Sequence, residues 1–239
     1  MLNNHSRYSF TYGTVALREM LAWAREQGLK ELALTDINNT AAGIEFVRLA
    51  KEEGIKPVLG VDFRNGMEQQ YVMLARNNSG FANINRFLSQ HLMAKEDFPA
   101  RAPELTDVFI IYPFLKRPEQ DLRENELIGI HPSELLKLKF LRRKIPPDKL
   151  CILHTQSFRH KRDHNTHRLL RAIGENSLLS KLANNQQAPE SDCYLPPNKL
   201  KSQFSEFPKL YRQTRQILEA CTLDFEVKNY QYIQRILFS

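Results

Sequence analysis

The chain has few cysteines and no long apolar run. Its three cysteines, Cys151, Cys193 and Cys221, are odd in number and widely spaced. Neither a disulfide framework nor a CxxC metal site follows from that pattern, and reduced cytoplasmic thiols are the simplest account. No segment approaches the ~18 apolar residues of a membrane-spanning helix, so no membrane span is expected. The N-terminus, Met1-Leu2-Asn3-Asn4-His5, lacks the basic and apolar pattern of a signal peptide. No GxGxxG, P-loop, GxSxG or HExxH sequence occurs, so nucleotide-cofactor, kinase-like and serine-hydrolase readings have no support.

What is present is ordinary globular material. Of 239 residues, 42% are hydrophobic and 26% charged, enough for one large α/β domain with a substantial core. The net charge of +7 suits nucleic acid or another polyanion without requiring one.

The first third alternates between helix and strand patterns. Thr14 to Gln27 has amphipathic spacing, with Thr14 as N-cap and Gly28 closing it. Glu31 to Asp36 reads as a buried strand. Thr40 to Glu53 reads as a helix with Ile44, Val47, Leu49 and Ala50 facing inward. Lys56 to Phe63 and Gln70 to Ala75 are further strands, and Gly80 to Gln90 a third helix. Such units favour a parallel sheet covered by helices, open or closed into a barrel. Later, Val108 to Tyr112, Leu127 to Ile130 and Leu150 to Leu153 read as strands. Pro132 to Arg143 looks helical. His164 to Ile173 is a helix with Leu169, Leu170 and Ile173 on one face. Residues 184–198 read as a surface loop, and Phe204 to Cys221 as a helix broken near Pro208. One domain with a helical C-terminal extension is expected.

Three groups of residues could carry chemistry. His5, Asp36 and Asp62 lie near the ends of three strand-like segments and could converge on one metal. An Asp after a strand is more commonly a turn former or helix cap. His154, His160, His164 and His167 cluster in sequence; a zinc site is conceivable, but solvated or capping roles are commoner. Lys137, Lys139, Arg142, Arg143 and Lys144 form one basic group, and Arg159, Lys161, Arg162, Arg168 and Arg171 another. Either could contact phosphate backbone, or simply be a solvated face.

Several segments together resemble one family. Asn3-Asn4-His5-Ser6-Arg7-Tyr8-Ser9 resembles the opening HxHSxYS motif of PHP (polymerase and histidinol phosphatase) domains. Ala33-Leu34-Thr35-Asp36-Ile37 resembles the family's ALTDH, and Gly43 its following glycine. Lys56 to Asp62 resembles KPIIGxE. Leu74 to Ile84 is similar to the LAKNxxGYxNL run of the bacterial DNA polymerase III alpha subgroup. Asp163 with His167 to Leu170, and Phe204 to Pro208 with Cys221, resemble later segments of that subgroup. The resemblance implies a PHP domain over 1–226 and a tail, 227–239, starting the connection to an absent polymerase core.

The fold so implied is an α/β, distorted seven-stranded β/α barrel. Active members bind divalent metals (Zn, Mn or Mg) and hydrolyse phosphoesters, in some polymerases as a 3′–5′ exonuclease. Here the family's ligand positions fall on Asn3, Tyr12, Ile37, Gln70, Thr155 and Ser157. His5 and Asp36 survive, and Asp62 is a shortened Glu. An isoleucine cannot bind a metal, and an Asn or Gln amide is a poor ligand. The expectation is therefore a vestigial site of His5, Asp36 and Asp62 without bound metal or catalytic residues. The domain would be a scaffold or docking surface in DNA replication. Expected partners are the remainder of the polymerase III alpha subunit, a proofreading exonuclease subunit and DNA through the basic groups. Polymerase activity is not expected of these 239 residues. The rivals are a phosphoesterase with an altered site and a stand-alone nucleic-acid binder.

Overall fold

A computed structural model describes residues 1–118, 120–141 and 145–225. The expected tail 227–239 and the basic residues Arg142, Arg143 and Lys144 lie outside the described residues.

The fold is mixed α/β. The strands are β1 (Asn3–Asn4), β2 (Glu31–Leu34), β3 (Lys56–Asn65), β4 (Glu68–Ala75), β5 (Val108–Pro113), β6 (Glu126–Ile130), β7 (Leu150–Ile152) and β8 (Thr155–Gln156). The helices are α1 (Leu17–Glu26), α2 (Gly43–Glu52), α3 (Asn78–Ala94), α4 (Leu135–Lys139), α5 (Lys161–Gly174), α6 (Pro197–Gln203) and α7 (Pro208–Ala220). Strands β2 to β7 form a six-stranded sheet in chain order, and β1 pairs with β8 in a separate two-stranded sheet.

The expected seven-stranded barrel is not completed: β2 to β7 form a curled half-barrel, and β1 and β8, each only two residues long, pair apart from it. β8 follows β7 in the chain, and β1 reaches the far edge where Thr35 N–H donates to the Asn4 carbonyl at 3.0 Å. The Asn4 N–H in turn donates to Thr35 Oγ1 at 2.9 Å.

The sheet is not wholly parallel. β4 runs antiparallel to both β3 and β5. The cause is local: Gly66 and Met67 alone separate β3 from β4, and Gly66 has φ +61°. A two-residue turn can only make a hairpin, whereas a parallel return needs a crossover of a dozen residues or so.

Helical periodicity located most helices, and the differences are at ends and faces. α1 begins at Leu17, with Glu19 rather than Thr14 bonding the exposed N–H of Ala16. On α2, Val47, Leu49 and Ala50 face inward as expected, but Ile44 is exposed and Phe46 is buried in its place. The described part of the expected helix Pro132 to Arg143 is a 3-10 turn at Pro132–Glu134 followed by the short α4. On α5 the expected apolar face points outward, with Leu169 and Ile173 exposed; His164, His167 and Ala172 are buried.

Two apolar layers line the sheet, because alternate side chains point to opposite faces. Leu59, Val61, Phe63, Tyr71, Met73, Ile110 and Tyr112 belong to the outer layer with α1, α2 and α3. Val58, Val72, Leu74, Ile111, Leu127 and Cys151 belong to the inner layer, plugged by Ile217, Leu218 and Cys221 around the end of α7. Asp62 shares the alternation of Val58, so it stands on the inner face nearer the C-terminal end of β3. No helix among the described residues is long and apolar enough to cross a membrane.

Candidate functional site

The candidate site lies where β1, β2, β3 and β8 end. His5 follows β1, Asp36 follows β2, Asp62 lies three residues past the parallel pairing of β3, and Ser157 follows β8. The loop from Ser6 to Gly13 covers them. It can fold back only because position 13 is glycine: a Cβ there would lie 1.8 Å from the Ser6 carbonyl oxygen.

Asp62 is fully buried and is the hub. Its Oδ2 accepts from His5 Nε2 at 2.9 Å, from Arg64 Nη2 at 2.8 Å and Nε at 3.1 Å, and from Asn3 Nδ2 at 3.2 Å. Its Oδ1 accepts from Gln69 Nε2 at 2.9 Å. Burial pushes this carboxyl up, but the charge of Arg64 and the hydrogen bonds from His5 and Arg64 outweigh it and hold the carboxyl well below the usual range. Burial pulls the Arg64 guanidinium down, and the Asp62 charge more than restores it, so both stay ionised.

His5 is fully buried, and burial lowers its pKa despite the neighbouring Asp62. The neutral ring donates from Nε2 to Asp62 and accepts at Nδ1 from Ser157 Oγ at 2.9 Å. Asn3 Nδ2 also donates to Thr155 Oγ1 at 2.9 Å, and Asn3 Oδ1 accepts from Thr35 Oγ1 at 2.7 Å. Tyr12 accepts at its hydroxyl from Arg64 Nη1 at 3.0 Å. Its ring meets those of His5 and His167 edge-on, at centroid distances of 5.5 and 4.5 Å.

Asp36 belongs to a different set of bonds. Its carboxylate accepts from the Ser6 N–H, Ser6 Oγ and Ser9 Oγ, each at 2.7 Å. Burial pushes its carboxyl up against those bonds. It anchors the covering loop rather than joining His5 and Asp62.

The structure thus gathers Asn3, His5, Tyr12, Asp62, Thr155 and Ser157 in one network. Besides Asp36, it leaves two expected positions outside. The Gln70 side chain donates to the Glu68 carbonyl, and its neighbour Gln69 reaches Asp62, because a bulge between Phe63 and Arg64 shifts the register of β3 on β4. The Ile37 side chain packs with Tyr12, Phe158, Met67, Ala188 and Cys193.

Three residues of the site escaped sequence reasoning: Arg64, Gln69 and Asp192. Arg64 had a signal, since it stands two residues after Asp62 on one strand and so on the same face. Asp192 had none. It is only 7% exposed, in a segment read as surface loop but tied in by the Ser157 N–H donating to the Asp192 carbonyl at 2.8 Å. Burial and the Asp62 charge push its carboxyl up to about 7, with Arg64 pulling the other way.

The other histidines are structural. His167 Nδ1 donates to the Tyr12 carbonyl at 2.7 Å, and its Nε2 accepts from the Ala188 N–H at 2.9 Å. His164 Nε2 bonds the Ala188 carbonyl and His154 Nε2 the Cys193 carbonyl. His160 pairs with Asp163 at 3.6 Å on the surface. Among the described residues no three or more His, Cys, Asp and Glu side chains are placed to hold a metal ion.

Of the basic candidates, Lys139 pairs with Glu206, Arg159 with Glu19 and Asp163, and Lys161 with Glu190. Lys137 and Arg162 are exposed.

Comparison with known proteins finds relatives among bacterial DNA polymerases. The chain is 35% identical over 95 residues to the error-prone DNA polymerase of Symbiobacterium thermophilum, covering 40% of this chain and 9% of that one. It is 21% identical over 253 residues to the DNA polymerase III subunit alpha of Halalkalibacterium halodurans, covering 92% of this chain and 22% of the relative. It is 27% identical over 101 residues to the DNA polymerase III subunit alpha of Neisseria meningitidis, covering 40% and 9%. The chain therefore spans between 9% and 22% of the length of these relatives. The sequence profile of the PHP domain matches residues 2–140, more than half of the chain, and the chain belongs to the PHP domain family.

Proposed function

We propose that this chain is the N-terminal PHP domain of a bacterial replicative DNA polymerase III alpha subunit, with a degenerate metal site and a noncatalytic role as scaffold or docking surface. One observation carries the reading. The Asp62 carboxylate, which a metal would need, is saturated by Arg64, His5, Asn3 and Gln69.

The donor set is a poor fit for a divalent cation. A guanidinium lies 2.8 Å from the one carboxylate at the hub, and its charge would repel a metal. The neighbouring ligand positions carry an amide, hydroxyls and an isoleucine, none a good ligand for zinc or manganese. Both ring nitrogens of His5 are engaged. Without a metal there is no clamp for a phosphate and no metal to activate water.

The partner of such a domain would be the remainder of an alpha subunit, since a relative matching 92% of this chain is an alpha subunit. A proofreading exonuclease subunit and DNA are further partners, DNA through exposed residues such as Lys137 and Arg162.

The test is elemental analysis after purification without chelator and dialysis against trace manganese and zinc, beside a 3′–5′ exonuclease assay. The reading expects less than about a tenth of an equivalent of metal and no nuclease activity. A stoichiometric metal lost in His5→Ala, with nuclease activity, would replace it with the phosphoesterase reading.

A further inference from the structure

We propose that Arg64 is the resident cation of this centre: its guanidinium does the structural work a metal ion does in a metal-holding site, and the ends of β1, β3 and β8 are organised around it. The inference deepens the metal-free reading of the site and rests on it.

The geometry is that of a built ion site. Arg64 is 7% exposed and Asp62 fully buried, so neither charge is solvated by bulk water. Each guanidinium nitrogen has a partner at the centre: Nε and Nη2 on Asp62 Oδ2, Nη1 on the Tyr12 hydroxyl. The cation is also 5.0 Å from the centroid of the Tyr12 ring. Around this pair, His5 is fixed by Asp62 and Ser157, and Asn3 by Asp62 and Thr155. Three chain segments distant in sequence therefore meet on one ion pair. A buried carboxylate needs a counter-ion, and here the chain carries its own.

Its origin in β3 is also physical. Side chains two apart on a strand share a face, as Asp62 and Arg64 do on β3, and the bulge opposite Phe63 and Arg64 leaves Gln70 of β4 without a strand partner. The same bulge brings Gln69 to the second oxygen of Asp62.

The experiment is a double-mutant cycle on the full chain with cation rescue. Arg64→Gly, Asp62→Asn and the double variant are melted with and without millimolar methylguanidinium or Mn2+. The expected result is a large loss of Tm in Arg64→Gly and a smaller loss in the double variant, which no longer buries a lone carboxylate. Either cation from solution raises the Tm of Arg64→Gly by several degrees, saturably, and leaves the double variant unchanged. Additive losses, or no rescue by either cation, overturn the resident-cation role. Mn2+ raising the Tm of the unaltered protein with stoichiometric binding overturns instead the metal-free reading beneath it. If Arg64→Gly does not fold, Arg64→Lys keeps the charge and Arg64→Gln removes it at similar size. The proposal then requires Arg64→Lys to be the more stable, and the reverse order overturns it.

Discussion

Arg64 and Asp62, two residues apart on one strand, form an ion pair at 2.8 Å with almost no access to water. Such a pair is weak evidence of net stabilisation, because desolvating two charges offsets their attraction. Breaking it from one side is another matter. Asp62→Asn leaves the guanidinium buried opposite an amide and removes the acceptor shared by His5 and Asn3. The expected cost is about 3–5 kcal/mol in chemical denaturation. A cost under about 1 kcal/mol would mean that Arg64 finds water or another partner, and that the pair does not organise the site.

The loop over the site depends on Gly13. A methyl group there would lie 1.8 Å from the Ser6 carbonyl oxygen, which is backbone and cannot swing aside as a side chain can. Gly13→Ala must therefore shift the Ser6–Gly13 loop, with a cost of about 3 kcal/mol or more, in the range of severe core strain. Gly28→Ala is the control: nothing lies within 4 Å of the added atom, and only its φ of +66° opposes it, at roughly 1 kcal/mol. Equal losses in the two variants would show that the close approach at Gly13 relaxes freely.

Periodicity made the helices and most strands legible before any coordinates, because a helix or strand with one buried face leaves its repeat in the sequence. It failed where a short turn or a polar interior broke the assumption. The two residues Gly66 and Met67 turned an expected parallel return into a hairpin. α5 was read with Leu169 and Ile173 inward, yet backbone groups of the loops it covers, Tyr12 C=O and Ala188 N–H, select His167 for the interior. At the site, His5 and Asp62 were legible as a pair. Their third expected partner, Asp36, was not separable from them by sequence, since only the loop shows Ser6 and Ser9 claiming its oxygens. Asp192 was hidden in a polar, proline-bearing segment whose burial depends on contacts far along the chain.

His167 predicts acid sensitivity. Burial lowers its pKa from 6.5 to about 4, helped by the charge of Arg171 and opposed by the hydrogen bond that Nδ1 gives to the Tyr12 carbonyl. The unfolded chain then binds more protons between those two values, so stability is fully present above about pH 6.5 and falls toward pH 4. The expected loss is on the order of 2–3 kcal/mol. His167→Gln keeps one donor and one acceptor without titrating, and it should flatten that part of the stability–pH curve. An unchanged slope would assign the acid sensitivity elsewhere, His5, His131 and His154 being other histidines whose pKa values burial lowers.

Asp192 has the opposite sign. Its folded pKa is raised from 3.8 to about 7, by burial first, against the pull of Arg64. The folded state therefore binds the extra proton, and the contribution of Asp192 is fully present below about pH 4 and lost as pH rises through about 7. At pH 8 the ionised carboxylate is buried close enough to Asp62 to feel its charge, with no side chain among the described residues donating a hydrogen bond to it. Asp192→Asn removes that charge at nearly constant volume. The variant should match the parent near pH 4 and exceed its stability by about 2 kcal/mol or more at pH 8. The measurement is urea denaturation of both proteins across that range. A gap that stays constant with pH would mean that Asp192 does not change protonation on folding. A variant less stable at pH 8 would mean that the Asp192 charge is needed there, as a second counter-ion to Arg64.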